Sequence, residues 1–193
     1  FGLLKDKMML LFFIGIVFVV GIDVGLNTTV PKLLIEKLDI GLDQAGLGTS
    51  LYFVARTAGT FVGAILLAVF SAKRFFTISM LVAIPALIAM LFMGGLWGIL
   101  SMVFVVGFAV ANVFSIIFSF ALKSKPSKSN EISGLLIMGV AGGAIIPPIM
   151  GVVADKFSQT GAMGVLLLLM IYLLYCSLIV KEEDNKITTS VSS

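Results

Sequence analysis

The stretch "GLLIMGVAGGAIIPPIMGVVAD", Gly134 to Asp155, is apolar enough to lie in hydrocarbon, yet it holds five glycines and a Pro147-Pro148 pair. Glycine and proline are the weakest helix formers. In lipid a backbone must satisfy its hydrogen bonds internally, and a proline break is tolerated only where neighbours or cavity water take up the freed carbonyls. Such a segment therefore reads as a helix that packs closely at small residues and bends.

The rest of the chain supports a membrane setting. Of 193 residues, 60% are hydrophobic and 12% charged, with a mean hydropathy of +1.18. A soluble domain is about 45–50% apolar and about 25% charged. Six apolar runs, near 8–30, 46–70, 75–94, 97–122, 132–154 and 160–180, each meet the need for about 20 residues per crossing. They lack the strict alternation of an outer-membrane barrel. The expected fold is all-α and transmembrane, a six-helix bundle. Residues 1–7 are expected to end a cytoplasmic linker, and 181–193 to form a disordered cytoplasmic tail. The chain opens on Phe1, which suits a piece of a longer product.

Lysine and arginine orient the bundle. With the N-terminus inside, nine basic residues (Lys5, Lys7, Lys73, Arg74, Lys123, Lys125, Lys128, Lys181, Lys186) fall on the cytoplasmic side, against Lys32, Lys37 and Lys156 outside. Both termini are then cytoplasmic. The net charge of +3 reflects this topology, and nucleic acid is not an expected partner. "SAKRF" (71–75) reads as a tight basic turn, and Ser129 or Asn130 as the N-cap of the helix after Pro126. The outer segment 31–45 reads as a short amphipathic surface helix.

Polar residues concentrate in the first span (Asp23, Asn27, Thr28, Thr29) and the fourth (Asn112, Ser115, Ser119), whereas the third and sixth are almost wholly apolar. A recurrence every three helices suits two inverted three-helix repeats. Spans one and four would face a wet cavity, and three and six the lipid.

Two charges lie deep in the hydrocarbon, Asp23 and Arg56. At 1.5 Å per residue their depths differ by about one turn or less. A lone charge at mid-bilayer costs about 2.5–3.5 kcal/mol on insertion scales, so such groups face the interior and pair. The pair serves either as a buried tie or as a substrate or proton site, with Arg56 tuning how Asp23 protonates. Asn27, one turn from Asp23, joins this face, and Tyr52, one turn outward of Arg56, offers a ring and a hydroxyl. Asn112, Ser115 and Ser119 would line the cavity from span four. Gly139, Gly143, Pro147 and Gly151, spaced by four, form one packing stripe, with Pro148 beside it; Gly59 and Gly63 form another. Static packing and gating both suit these stripes.

With no histidine, a lone Cys176 and no nucleophile–base set, neither an enzyme, a cofactor nor a metal is expected.

The segment "FSIIFSFALKSKPSKSNEISGLLIMGVAGGAIIPPIMGVVAD" (114–155) resembles the tenth and eleventh helices of the fucose permease family of sugar:proton symporters, in the major facilitator superfamily. "YFVARTAGTFVGAILL" (52–67) resembles its eighth helix and "VVGIDVG" (19–25) its seventh. The resemblance implies the C-terminal half of a twelve-helix transporter working by alternating access, carrying a hexose or deoxyhexose with protons. Its partners would be the sugar, protons, the bilayer and either a missing N-terminal half or a second copy. The family's principal membrane carboxylates lie in that other half, and 28–50 matches no part of the pattern. Two alternatives accompany this expectation: another metabolite or drug on the same scaffold, and a six-helix scaffold or receptor that transports nothing.

Overall fold

The computed structural model describes residues 3–180, so the expected tail 181–193 lies outside the described residues. Their regular structure is all helical, with seven α-helices joined by short connections: α1 Lys7–Leu38, α2 Leu42–Val69, α3 Ala72–Phe92, α4 Leu96–Val110, α5 Val113–Ser124, α6 Ser129–Met138 and α7 Gly142–Ile179. They make five membrane-length stretches, because α4 and α5 run on as Leu96–Ser124 and α6 and α7 as Pro126–Ile179.

The last stretch of 54 residues would extend about 81 Å if straight, against a hydrocarbon core of about 30 Å. It folds back instead. Gly139 packs on Ile16, Gly143 on Val20 and Val24, and Met150 on Gly25, so this part of the chain runs alongside α1 in the same direction. Farther on, Gln159 meets Glu36 while Tyr172 donates to the Leu11 carbonyl at 3.2 Å, which is the opposite direction. The reversal lies at Phe157 and Ser158, whose backbone is non-helical, Ser158 with φ 70°.

The outer segment departs from expectation. Residues 31–38 form no separate surface helix: α1 continues through Pro31 to Leu38 and closes on Asp39 in the left-handed region. Proline removes the N–H that would bond the carbonyl four residues back. Here that carbonyl belongs to Asn27, and the Thr49 hydroxyl of α2 donates to it at 3.2 Å. Leu33 and Leu34 are fully buried, so the extension is held by packing. It also ties two helix ends. Lys37 donates to the Leu91 carbonyl in the last turn of α3, and Glu36 accepts from the Gln159 N–H at 3.1 Å, where helix resumes after the reversal. A cation at a helix C-terminus and an anion at an N-terminus both oppose the helix dipole favourably.

At the other end of α1, the Asp6 carboxylate caps the helix by accepting from Met8 N–H (2.8 Å) and Met9 N–H (3.4 Å), and pairs with Lys125. Hydrogen bonding from Lys125, then from Met8, holds the Asp6 carboxyl below its usual 3.8. The cap and pair therefore stabilise the fold at every pH above the unfolded value of about 3.9 and are lost as pH falls through the lower folded value. The difference in Tm between the native protein and Asp6→Ala should stay constant from pH 8 to 5 and narrow below about pH 4.

Elsewhere the expected basic turn 71–75 is mostly helix, since α3 begins at Ala72, and Ser71 caps it by accepting from Arg74 N–H at 3.4 Å. The start of α6 differs: Ser129 is already helical, Lys128 holds the cap position, and no side chain caps it.

Small residues line the contact seams. The buried positions of α2 are Ala45, Gly48, Tyr52, Ala55, Gly59 and Gly63, a single face repeating every three or four residues. A Cβ on Gly59 would lie 2.6 Å from the Phe108 carbonyl oxygen, so α2 and α4 touch backbone to backbone. Close approach of this kind drives helix association where lipid removes the hydrophobic difference.

Candidate functional site

Asp23 stands midway along α1, and Tyr52 and Arg56 midway along α2, one turn apart on the same face. Both reach one oxygen. Asp23 Oδ1 accepts from the Tyr52 hydroxyl at 2.5 Å and forms an ion pair with Arg56 Nη1. The two donors differ in exposure. Tyr52 is 1% exposed, whereas the Arg56 and Asp23 side chains retain 29% and 16%. Removing one partner of such a partly buried pair leaves a bare charge, whose cost depends on what else bonds it. Carboxylate and guanidinium thus each lower the cost of the other's burial.

Asn27 completes the face that its spacing suggested, through its own helix: Nδ2 donates to the Asp23 carbonyl at 2.8 Å. Its Oδ1 is buried without a partner.

The residues expected from span four lie apart from this cluster. Asn112, 5% exposed, sits at the break between α4 and α5 and donates from Nδ2 to the Gly59 carbonyl at 2.8 Å. A Cβ on Gly63 would overlap that amide, so Gly59 and Gly63 form the notch that Asn112 fills. Ser115 and Ser119 lie farther along α5, lining an open hollow of about 460 Å³ with Phe114, Phe118, Leu122 and Lys123. The Phe114 and Phe118 rings are stacked there, 5.9 Å apart.

The stripe expected in span five is rearranged. Gly139 is buried and Gly143 half-buried, but Pro147 lies to one side, Pro148 is exposed, and a Cβ on Gly151 would meet nothing within 4 Å. The buried seam runs Ile132, Leu136, Gly139, Gly142, Ile146, Met150. A 3-10 turn at Gly139–Ala141 resets its phase, and α7 stays helical through both prolines. The break falls about two turns before them.

Three residues outside the expected set matter here. Thr49 bonds the carbonyl that Pro31 frees, Gly107 makes room for the Tyr52 ring, and Gly142 meets the Val17 backbone. Only Gly142 carried a signal, as one of a glycine pair in the opening segment.

The sequence matches the Major Facilitator Superfamily over residues 11–192. The chain belongs to that superfamily. A "Putative glucose/galactose transporter" of Helicobacter pylori strain 26695 is 31% identical over 180 residues, 89% of this chain and 44% of that protein. Its counterpart in strain J99 is 28% identical over 178 residues, with the same coverage. The chain thus spans less than half the length of these curated relatives. Among solved structures, the superfamily transporter FucP in its outward conformation superposes with a TM-score of 0.82 over 92% of this chain and 43% of FucP, at 18% identity. A variant of the E. coli fucose:proton symporter FucP gives 0.85 over 94% and 44%, also at 18% identity. This superfamily member therefore has the helical fold of half a FucP molecule and is a multi-pass membrane protein.

Proposed function

We infer that this chain is the C-terminal half of a secondary transporter that moves a hexose or deoxyhexose with protons by alternating access, in the inner membrane of a bacterial-type cell. The observation that carries the reading is the Asp23–Tyr52–Arg56 cluster, an ion pair half-open to the surface midway along two membrane helices. Intramembrane ionisable residues mark substrate or proton pathways by default. The relatives' printed names supply the sugar and the proton.

The reading takes the bundle as six crossings: α1, α2, α3, α4 with α5, the chain from Ser129 to the reversal, and residues 159–179. Two inverted triplets follow, α1–α3 and α4–α7, with spans one and four toward the cavity. The helix-end ties support one common orientation. Asp6 and Lys125 are both expected inside, and Glu36 and Lys37 meet Gln159 and Leu91 on the expected outside. Gly142 and the Asn112 notch hold the bundle together, and the 3-10 turn before Pro147 is where span five bends.

The test is uptake of radiolabelled D-galactose, D-glucose and L-fucose into proteoliposomes holding the whole transporter of which this chain is part. An inward proton gradient should drive accumulation of at least one sugar, and a protonophore should collapse it. Accumulation indifferent to the protonophore would remove the proton. Binding with no translocation would favour a scaffold.

A further inference from the structure

The two donors on Asp23 are unequal in a way that assigns them separate tasks. Tyr52 is closed in on every side. Its hydroxyl ends on Asp23 Oδ1, and its ring lies in a slot opened by Gly107 of α4. A Cβ on Gly107 would come within 3.0 Å of both Tyr52 Cδ2 and the Tyr52 carbonyl oxygen. The ring has no second place to go, since core side chains are packed to crystal density. Arg56 stands a turn away on the same helix face with 29% of its side chain open. A guanidinium carries five N–H donors in a planar fork, and the Asp23 contact occupies one of its three nitrogens.

We propose that Tyr52 is the fixed donor to Asp23 and Arg56 the exchangeable one, so that Arg56 leaves the carboxylate to bind an oxygen-rich ligand while Tyr52 keeps Asp23 in place. An ion pair with no third member cannot do this, because withdrawing the arginine strands a buried charge. A second donor held by packing lowers that cost, because the carboxylate keeps a hydrogen bond when the arginine withdraws. Arg56 is then the ligand-facing group and Tyr52 a positioning residue. A ring of hydroxyls fits the freed guanidinium, which donates in several directions from one plane. Only this last step rests on the transport reading.

The experiment has one arm that needs no substrate. In the purified transporter Tyr52→Phe keeps the ring in its slot, and Arg56→Gln keeps much of the side chain's bulk. Each single variant should lower Tm by about 2–4 °C, and the double variant by at least about 5 °C more than their sum. Adding Asp23→Asn to the double variant should restore most of that excess, because it removes the stranded charge. Additive losses, or no rescue by Asp23→Asn, would overturn the proposal.

The second arm uses the sugar that the reconstituted transporter carries. Arg56→Gln should weaken its binding about tenfold or more, and Tyr52→Phe by less than about threefold. Equal weakening by both variants would overturn the division of tasks. If none of the three sugars is carried yet the rescue holds, the transport reading fails and the two-donor arrangement stands.

Discussion

An Asp23→Asn transporter is expected to lose concentrative uptake while keeping exchange of sugar across the membrane. Asparagine preserves the size of the side chain and one oxygen acceptor for Tyr52 and Arg56, but it can neither carry a charge nor release a proton. A transporter moving one proton per sugar down 100 mV has about 2.3 kcal/mol to spend on the sugar gradient. At about 1.36 kcal/mol per decade, that supports an accumulation of about 50-fold. Without coupling the ratio falls to about one. Counterflow of labelled against unlabelled sugar needs no net proton movement, so it should persist within a few-fold of the native rate. Normal accumulation by the Asn variant would take Asp23 out of the coupling role. Loss of accumulation and counterflow together would make it a structural tie. Asp23 and Arg56 sit midway along α1 and α2, the two helices that share the cluster, so the charge change acts where the helices meet.

The second large effect concerns packing. Gly142→Ala is expected to lower Tm by about 5 °C, whereas Gly151→Ala should leave it within about 1 °C. A Cβ on Gly142 would lie 2.7 Å and 2.8 Å from the Val17 carbonyl carbon and Cα and would overlap the carbonyl oxygen. Those are backbone atoms inside a helix, and they cannot rotate aside. The α1 and α7 helices would have to part, and overpacking of this kind costs about 1–3 kcal/mol, each worth about 2–4 °C in a protein of this size. Gly151 presents no such contact. Gly143→Ala, whose Cβ would meet the Val24 and Val20 side chains at 3.1 Å and 3.2 Å, should fall between the two. The readout is thermal unfolding of the detergent-solubilised transporter. A Gly142→Ala protein as stable as the native one would show that the two helices are not in backbone contact there. Equal losses at Gly143 and Gly151, with none at Gly142, would restore the stripe spaced by four.

The cluster was legible because depth is a one-dimensional quantity. Hydrocarbon thickness and a rise of 1.5 Å per residue set how deep Asp23 and Arg56 lie, and the cost of a lone charge then requires them to meet. The same arithmetic located the apolar runs, and the expected topology grouped residues 1–7 with Lys125, whose ammonium pairs with Asp6. Helix period alone put Asn27 on the Asp23 face, and its amide bonds the Asp23 carbonyl.

Rotation about each helix axis was not legible, because it depends on residues far along the chain. Tyr52 is sealed in because Gly107, 55 positions later, leaves a slot for its ring. Asn112 points at α2 because Gly59 and Gly63 leave a notch for it. The α1 helix survives Pro31 because Thr49 of another helix takes the freed carbonyl. A 3-10 turn of three residues moved the seam of span five from Gly143 and Gly151 to Gly142 and Met150. By itself the sequence determined that the chain crosses a membrane several times, since that follows from hydration and length. Only the tertiary structure decided which way each side chain faces, because that is set by the space its neighbours leave.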